Sequence, residues 1–245
     1  MRFVDCIWEL KNLGKRVCEI SVEDEDVFDE KEIINKTNSY DYVVIKVGMN
    51  RPDFNFGLSK LGFTMVETQL SLSKSFKEFN FEDRLVKRLL PYVDEKIVTS
   101  HEELDDIIHK ITPNMFSTDR IYLDPKFEKH SSMNRYSNWV RTEFESGSSI
   151  VKEIIYEDKA IGFGMLRDNK GVLLGLLGGI YEGEQSEGYG LLTACFEYLM
   201  AKKNNRSFKK IYTAISSNNY PMVQIYNYLR FKIYGMTYVF VKHNR

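Results

Sequence analysis

A glycine-bearing turn between a predicted strand and a predicted helix is the part of the chain best suited to chemistry. An apolar run from Val172 to Leu177 leads into a polar segment that ends in Gln185-x-x-Gly188-x-Gly190 and opens onto a helical pattern. Glycines let the backbone approach a ligand closely, and the N–H groups and dipole at a helix start favour an anion. The segment contains no lysine or arginine. The sequence therefore predicts that backbone amides hold a pyrophosphate here.

Two other phosphate-binding patterns do not fit this turn. A Walker loop ends in Gly-Lys-Ser/Thr, whereas Gly190 is followed by Leu191 and Leu192. A Rossmann fingerprint needs Gly-x-Gly-x-x-Gly, and the spacing of Gly183 and Gly188 does not supply it. An ordinary connecting turn is the remaining alternative to a pyrophosphate site.

The composition is that of an ordinary globular protein. With 245 residues, of which 43% are hydrophobic and 28% charged, the chain can form one large domain or two small ones. Its formal net charge of −1 supplies no field that would attract nucleic acid or an anionic membrane. Three scattered cysteines indicate a reducing compartment without a disulfide framework or a zinc site, and no apolar run could span a bilayer. We therefore predict a cytoplasmic protein with no metal and no nucleic-acid or membrane partner.

Two units are predicted, over residues 1–95 and 96–245. The first has strands at 17–22, 42–47 and 64–72, a short helix ending near Gly62, and a helix over 76–95. The second has a strand at 97–99, helices before Pro113 and at 135–145, strands at 150–156, 160–167 and 172–180, a helix at 191–203, a strand at 211–215, a helix from Pro221 and a last strand at 231–242; segment 119–125 is predicted to be irregular. This order indicates a mixed sheet with helices on its faces.

The two units share a series of elements. A strand at 43–47, a short helix, Leu61-Gly62-Phe63 and a strand are matched by a strand at 211–215, a helix at 221–229, Leu229-Arg230-Phe231 and the last strand. We predict that the first unit is a degenerate half-copy of the second, with coincidence as the alternative.

Three features together resemble the GNAT acyltransferase superfamily. They are the order of the elements, the Gln185-x-x-Gly188-x-Gly190 turn, and Asn219 followed by Tyr226 within the next helix. The resemblance covers roughly the second unit. It implies an α/β fold of the GNAT-like kind, with a mixed sheet and flanking helices, preceded here by the smaller N-terminal α/β domain.

The resemblance also implies how a donor, acetyl-coenzyme A, would bind. The strand that ends at Ile180 would splay from the strand at 211–215, and the pantetheine would lie in the gap. A backbone N–H near Gly179 or Ile180 would meet the oxyanion. The predicted donor-site residues are Gly179, Ile180, Gln185, Ser186, Glu187, Gly188, Tyr189, Gly190 and Asn219.

Tyr226, by the same resemblance, donates a proton to the departing coenzyme A sulfur. Because phenol and thiol differ by only about 1.5 pKa units, that transfer would be nearly balanced. Two alternatives stay open from the residues alone. Tyr226 could pack in a tyrosine-rich helix, and Asn219 could cap that helix as well as, or instead of, binding pantetheine.

A narrower likeness is to the TDP-fucosamine acetyltransferase branch. It rests on segment 119–125, on Arg135-Tyr136 and Trp139-Val140, and on Leu61-Gly62-Phe63 and Val66-Glu67-Thr68 in the first unit. It implies a small-molecule acceptor, the 4-amino group of a dTDP-linked 4-amino-4,6-dideoxyhexose, for surface polysaccharide synthesis. The candidate acceptor-site residues are Asp119, Arg120, Tyr122, Arg135 and Trp139. One position departs from the branch: Ile225 stands where an arginine often contacts a coenzyme A phosphate.

The general base and the acceptor are not fixed by the sequence. The candidate bases are Asp119, Asp124, Glu182 and His130. An enzyme acting on a peptide N-terminus, an amino acid or a polyamine is one alternative to the amino-sugar hypothesis. A non-catalytic module that senses acetyl-coenzyme A is the other, and whether the chain forms a homodimer is left open.

Overall fold

The computed structural model describes residues 1–185 and 188–244. Its strands are β1 (Arg2–Asp5), β2 (Val17–Ser21), β3 (Tyr42–Gly48), β4 (Thr64–Ser75), β5 (Val93–Ile97), β6 (Ile150–Tyr156), β7 (Lys159–Asn169), β8 (Val172–Ile180), β9 (Lys210–Ser216) and β10 (Lys232–His243). Its helices are α1 (Glu9–Leu13), α2 (Glu30–Thr37), α3 (Pro52–Lys60), α4 (Arg84–Leu89), α5 (His101–Lys110), α6 (Arg120–Leu123), α7 (Lys129–Glu145), α8 (Gly190–Lys203) and α9 (Tyr220–Tyr228).

All ten strands belong to one mixed sheet, in the order β1-β2-β3-β10-β4-β9-β8-β7-β6-β5. The pairs β2/β3 and β8/β9 are parallel, and the other neighbours are antiparallel. This mixed sheet with flanking helices confirms the predicted fold class.

The two predicted units exchange strands at the centre of the sheet. Strand β10 lies between β3 and β4, and β4 lies between β10 and β9. The parallel pairs β2/β3 and β8/β9 therefore stand at equivalent places on either side of the β4/β10 pair. The predicted boundary between the units falls inside β5, and the sheet continues across it. The boundary and the half-copy relation stay predictions.

Local contacts account for the bounds of several elements. Ser100 Oγ accepts a hydrogen bond from Glu103 N at 3.2 Å and so caps the start of α5. At the β7–β8 hairpin, Lys170 and Gly171 have φ values of 53° and 81°, and Gly171 N donates to Asp168 Oδ1 at 2.7 Å. Two positive φ values in succession are typical of a tight hairpin turn.

Two segments differ from prediction. Residues 76–95 hold a short 3-10 turn (Phe76–Glu78), α4 and the start of β5 in place of one helix. The reason is local: Asp83 caps α4 by accepting from Leu85 N at 2.9 Å, so the helix begins after it. Segment 119–125, predicted to be irregular, contains α6, and α7 begins at Lys129, six residues before the predicted start.

Candidate functional site

Strands β8 and β9 part after their first three paired residues. Their parallel register pairs Val172 with Lys210 and ends at Leu174 with Tyr212. Beyond that point β8 continues to Ile180 beside β7, and β9 continues to Ser216 beside β4. A strand paired along one edge directs alternate N–H and C=O groups to its other edge. The splay implied by the resemblance is therefore present, and the gap is lined by backbone donors and acceptors.

The separation begins after Gly175. A Cβ atom built at Gly175 would lie 3.5 Å from Thr213 on β9, so the two strands are still in contact there. The next residues, Leu176 and Leu177, pack instead on a core cluster that includes Leu104 of α5 and Val140 of α7. Packing on these helices accompanies the departure of β8 from β9.

A close approach between β7 and β8 fixes the far end of β8. A Cβ atom at Gly162 would overlap the Gly179 carbonyl oxygen and lie 3.2 Å from Ile180 Cα, whereas one at Gly164 would meet nothing within 4 Å. We expect Gly162→Ala to destabilise the protein by about 1–3 kcal/mol, because both obstacles are backbone. It should also weaken binding of the acetyl-coenzyme A donor that the resemblance implies, because it displaces the end of β8.

Urea unfolding and donor titration of Gly162→Ala and Gly164→Ala would test this expectation. Gly164→Ala is the matched control, since it adds the same methyl group two residues away on the same strand. Equal unfolding midpoints for the two variants would contradict the prediction.

The turn after β8 folds back onto the strand. Glu184 N donates to Tyr181 O at 3.0 Å, and Gln185 Nε2 donates to Ile180 O at 3.2 Å. Gly183 and Gly188 have φ values of 93° and 79°, where glycine is favoured. Two predicted donor-site residues, Ser186 and Glu187, lie outside the described residues. The Gln185 side chain thus shapes the turn from within.

Helix α8 begins without a side-chain cap. Tyr189 occupies the N-cap position and makes no capping bond through its side chain, and the first turn holds no acidic residue. The Gly190 backbone packs against α9, since a Cβ atom there would lie 3.1 Å from Ile225 Cδ1. The first N–H groups of a helix lack intrahelical acceptors. Together with the dipole, they give this helix start a preference for an anion.

Tyr226 is buried on α9, beside the splay. It is 9% exposed, and its ring packs edge-on to Phe231 with 4.8 Å between centroids. Burial raises the pKa of Tyr226 to about 12, although a hydrogen bond with Thr213 of β9 acts in the opposite direction. The phenol is therefore a weaker acid than tyrosine in water, and it keeps its proton at neutral pH.

Asn219 caps α9. Its Oδ1 accepts from Met222 N at 3.3 Å, and its own N–H donates to Ser216 O at 3.0 Å. Of the two roles left open by the sequence, capping is therefore present in the structure.

Asp119 and Arg120 belong to one buried polar network. Asp119 accepts from Ile121 N at 3.1 Å and from the hydroxyls of Ser132 and Tyr136, each at 2.9 Å. Arg120 Nη1 lies 3.5 Å from a carboxylate oxygen of Glu67 on β4. Burial acts to lower the pKa of Arg120, but a neighbouring hydroxyl and carboxylates raise it above its usual value.

The other acceptor candidates have separate partners. Arg135 Nε donates to Glu9 at 2.6 Å, and Trp139 Nε1 donates to Glu143 at 3.2 Å. The Tyr122 hydroxyl lies 3.3 Å from Asn114 Oδ1. The structure thus brings Arg135 close to Asp119 and Arg120, with its guanidinium 5.8 Å from the centre of the Tyr136 ring, whereas Tyr122 and Trp139 have individual contacts.

The short turn Pro113–Phe116 packs against the end of β8. A Cβ atom at Gly179 would lie 2.9 Å from Met115 Cε, and Asn114 Nδ2 donates to Glu182 Oε1 at 3.0 Å. Asn114 and Thr112 hold the pKa of Glu182 below its usual range. The sequence predicts only that a helix ends before Pro113. No local pattern indicates that the following turn contacts β8.

The candidate bases are otherwise engaged or exposed. Asp119 and Glu182 accept the hydrogen bonds given above, and Asp124 Oδ2 lies 2.8 Å from His243 Nε2. His130 is exposed. Within residues 1–185 and 188–244, no group of three or more His, Cys, Asp or Glu side chains could hold a metal ion. Over the same residues, no helix has the length and apolar character needed to cross a membrane.

Comparison with known proteins gives a fold but no close relative. No protein-family model and no curated protein matches the chain. A functionally unknown conserved protein from Staphylococcus epidermidis is similar in structure, with 15% identity, a TM-score of 0.61, and coverage of 88% of this chain and 77% of that one.

Two GCN5-related N-acetyltransferases are also similar. The one from Kribbella flavida has 11% identity and a TM-score of 0.54, with 93% of this chain and 81% of that chain covered. The one from Sphaerobacter thermophilus has 8% identity and a TM-score of 0.54, with 88% and 64% covered, so the match spans slightly less than two thirds of it. The splayed parallel pair and these likenesses agree: this chain has the fold of the GCN5-related N-acetyltransferases.

Proposed function

We propose that the protein is an N-acetyltransferase that uses acetyl-coenzyme A. The observation that carries this proposal is the gap between β8 and β9, together with the uncapped start of α8, the helix that follows β8 in the chain. A long thioester with a diphosphate at its middle fits both features, because a strand-like gap takes an extended chain and a helix start takes an anion. The donor supplies an activated acetyl group.

Each part of the donor site then has a role for this chain. Amides from about Gln185 to Gly190 bind the pyrophosphate, and an N–H near Gly179 or Ile180 stabilises negative charge on the carbonyl oxygen. Asn219 keeps α9 in place by capping it. Holding the thioester beside an amine supplies much of the rate enhancement through proximity.

Tyr226 acts on the sulfur side as a hydrogen-bond donor. With a pKa of about 12, it stays protonated at neutral pH. Burial of a departing thiol at the same place would raise the pKa of the thiol as well, so proton transfer between the two groups stays possible. We therefore assign Tyr226 the role that the resemblance implies, proton donor to the departing thiolate, and the proton released by the attacking amine returns the phenol to its starting state.

The proposed acceptor is a dTDP-linked 4-amino-4,6-dideoxyhexose, bound near Asp119, Arg120 and Tyr122. The support is the resemblance of segment 119–140 together with the contact of Asn114 with both Tyr122 and Glu182 beside β8. A second candidate is an amine without a diphosphate, such as a peptide N-terminus, an amino acid or a polyamine. It is favoured by Arg120, which already faces Glu67 and is less able to bind phosphate.

Coenzyme A release with acetyl-coenzyme A and a panel of dTDP-amino sugars, peptides, amino acids and polyamines tests the proposal. Turnover on an amino sugar would support both the acetyltransferase activity and the proposed acceptor. Turnover only on another amine would support the activity and refute the dTDP-amino sugar as the acceptor. Gly188→Ala should raise the donor Kd at least about tenfold, because a methyl group at φ 79° distorts the anion-binding turn. Gly147→Ala is the control, at φ 64° after α7. If the wild-type protein neither released coenzyme A nor bound acetyl-coenzyme A, the enzyme assignment would be refuted.

A further inference from the structure

Two residues of β4, Val66 and Thr68, hold the turn from which α9 starts. Beyond the last register of β4 with β9, Ser217 N donates to Thr68 O at 2.8 Å, and Thr68 N donates to Ser217 Oγ at 3.0 Å. Asn218 Nδ2 donates to Val66 O at 3.3 Å. Ser217 and Asn218 directly precede Asn219, so these three hydrogen bonds set where α9 begins.

This anchoring matters because β9 loses its other neighbour. The register of β8 with β9 ends at Tyr212, and β4 is the strand that pairs with the rest of β9 and holds the turn beyond it. That half of β9 includes Thr213, the partner of the Tyr226 hydroxyl. Both the tyrosine and its partner therefore depend on β4 for their positions.

The side chain between these two backbone contacts points to the other side of the site. Glu67 has a side chain only 6% exposed and faces Arg120 at 3.5 Å. Arg120 is the first residue of α6, and Asp119 before it ties α6 to Tyr136 of α7. Glu67 thus holds the helices that carry the proposed acceptor residues.

We propose that Val66–Thr68 aligns the two sides of the transfer site, with Glu67 as a positioning residue. The inference rests on the proposed function, since it concerns the relative placement of acceptor and thiol. It gives the first 95 residues a part in the reaction, because their strand β4 joins α6 to the start of α9. Neither side would be fixed relative to the other by the splayed strands alone.

Glu67→Gln removes the charge but keeps the shape, and Ser217→Ala removes one anchor of the turn. Each should lower kcat about tenfold, since misplacement of about 1 Å has large effects on transfer, and leave the acetyl-coenzyme A Kd within about twofold. Ser217→Thr keeps the hydroxyl and should restore kcat. Glu78→Gln is the control for charge, because it breaks an exposed pair with Lys232 at the far end of β4.

Amide hydrogen exchange gives a readout independent of turnover. Glu67→Gln should speed exchange in both α6 and α9, and Ser217→Ala should speed it in α9. If Glu67→Gln sped exchange in α6 alone, or left kcat unchanged in active enzyme, Val66–Thr68 would not align the two sides of the site. A wild type that releases no coenzyme A would refute the proposed function, while the exchange data would still decide whether Glu67 couples the two helices.

Discussion

Tyr226→Phe is expected to lower kcat about 100-fold and to leave the acetyl-coenzyme A Kd within about twofold. The hydroxyl is buried beside Thr213, and its proton is retained at neutral pH because the pKa is about 12. It is therefore available to a developing thiolate, whose charge appears mainly in the transition state. A group that acts there changes kcat more than it changes ground-state binding.

Single-turnover and steady-state measurements of coenzyme A release would check this expectation. Tyr228→Phe is the matched control: the same change two residues along the same helix removes an exposed hydroxyl that donates to Asp83 at 2.6 Å. If Tyr226→Phe and Tyr228→Phe had equal kcat under conditions where chemistry limits the rate, Tyr226 would be a packing residue only.

Lys152→Met is expected to destabilise the fold by about 3–5 kcal/mol. Lys152 Nζ lies 2.8 Å from Glu95 and 2.9 Å from Glu197, and all three side chains are largely buried. Burial alone would lower the pKa of Lys152, but Glu197 and Glu95 raise it, so the ammonium stays charged. Without it, Glu197 of α8 would lose this cation, and Glu95 of β5 would keep only one cation, its exposed partner Arg206, 3.0 Å away.

Urea unfolding at neutral pH measures the effect, and Lys232→Met supplies the comparison. Lys232 forms a 2.9 Å pair with Glu78 in which both side chains are well exposed, so its loss should lower the free energy of unfolding far less. The double variant Lys152→Met, Glu197→Leu should recover part of the loss, because it removes one orphaned charge. A Lys152→Met effect as small as that of Lys232→Met would show that the buried pair is solvated.

Local rules were enough to predict the strand and the helix that flank the proposed donor site. The run into Ile180, the glycines and the helical pattern after Gly190 are contiguous, and β8, the turn and α8 follow them in the structure. Helix caps and hairpin turns are equally local features, because each depends on residues within a few positions of one another.

The features that the sequence does not predict depend on contacts between residues that are far apart in the chain. The pairing of β4 with both β9 and β10 has no local signature, because the partners lie far apart in the chain. The pKa of Tyr226 is set by burial in a cluster that includes Cys195 and Phe231. The early start of α7 at Lys129 was missed because its first turns are polar and show no clear apolar face.

The interleaving of β4 and β10 has a consequence for how the chain acquires its structure. Strand β3 gains its inner neighbour only when β10 arrives, about 190 to 200 residues later along the chain. Until then the edges of β3 and β4 are open, and open edges invite association with other chains. Closing so long a loop is slow. We expect the nascent protein to wait for synthesis of its last strand before its centre can form, and to rely on chaperones in that interval.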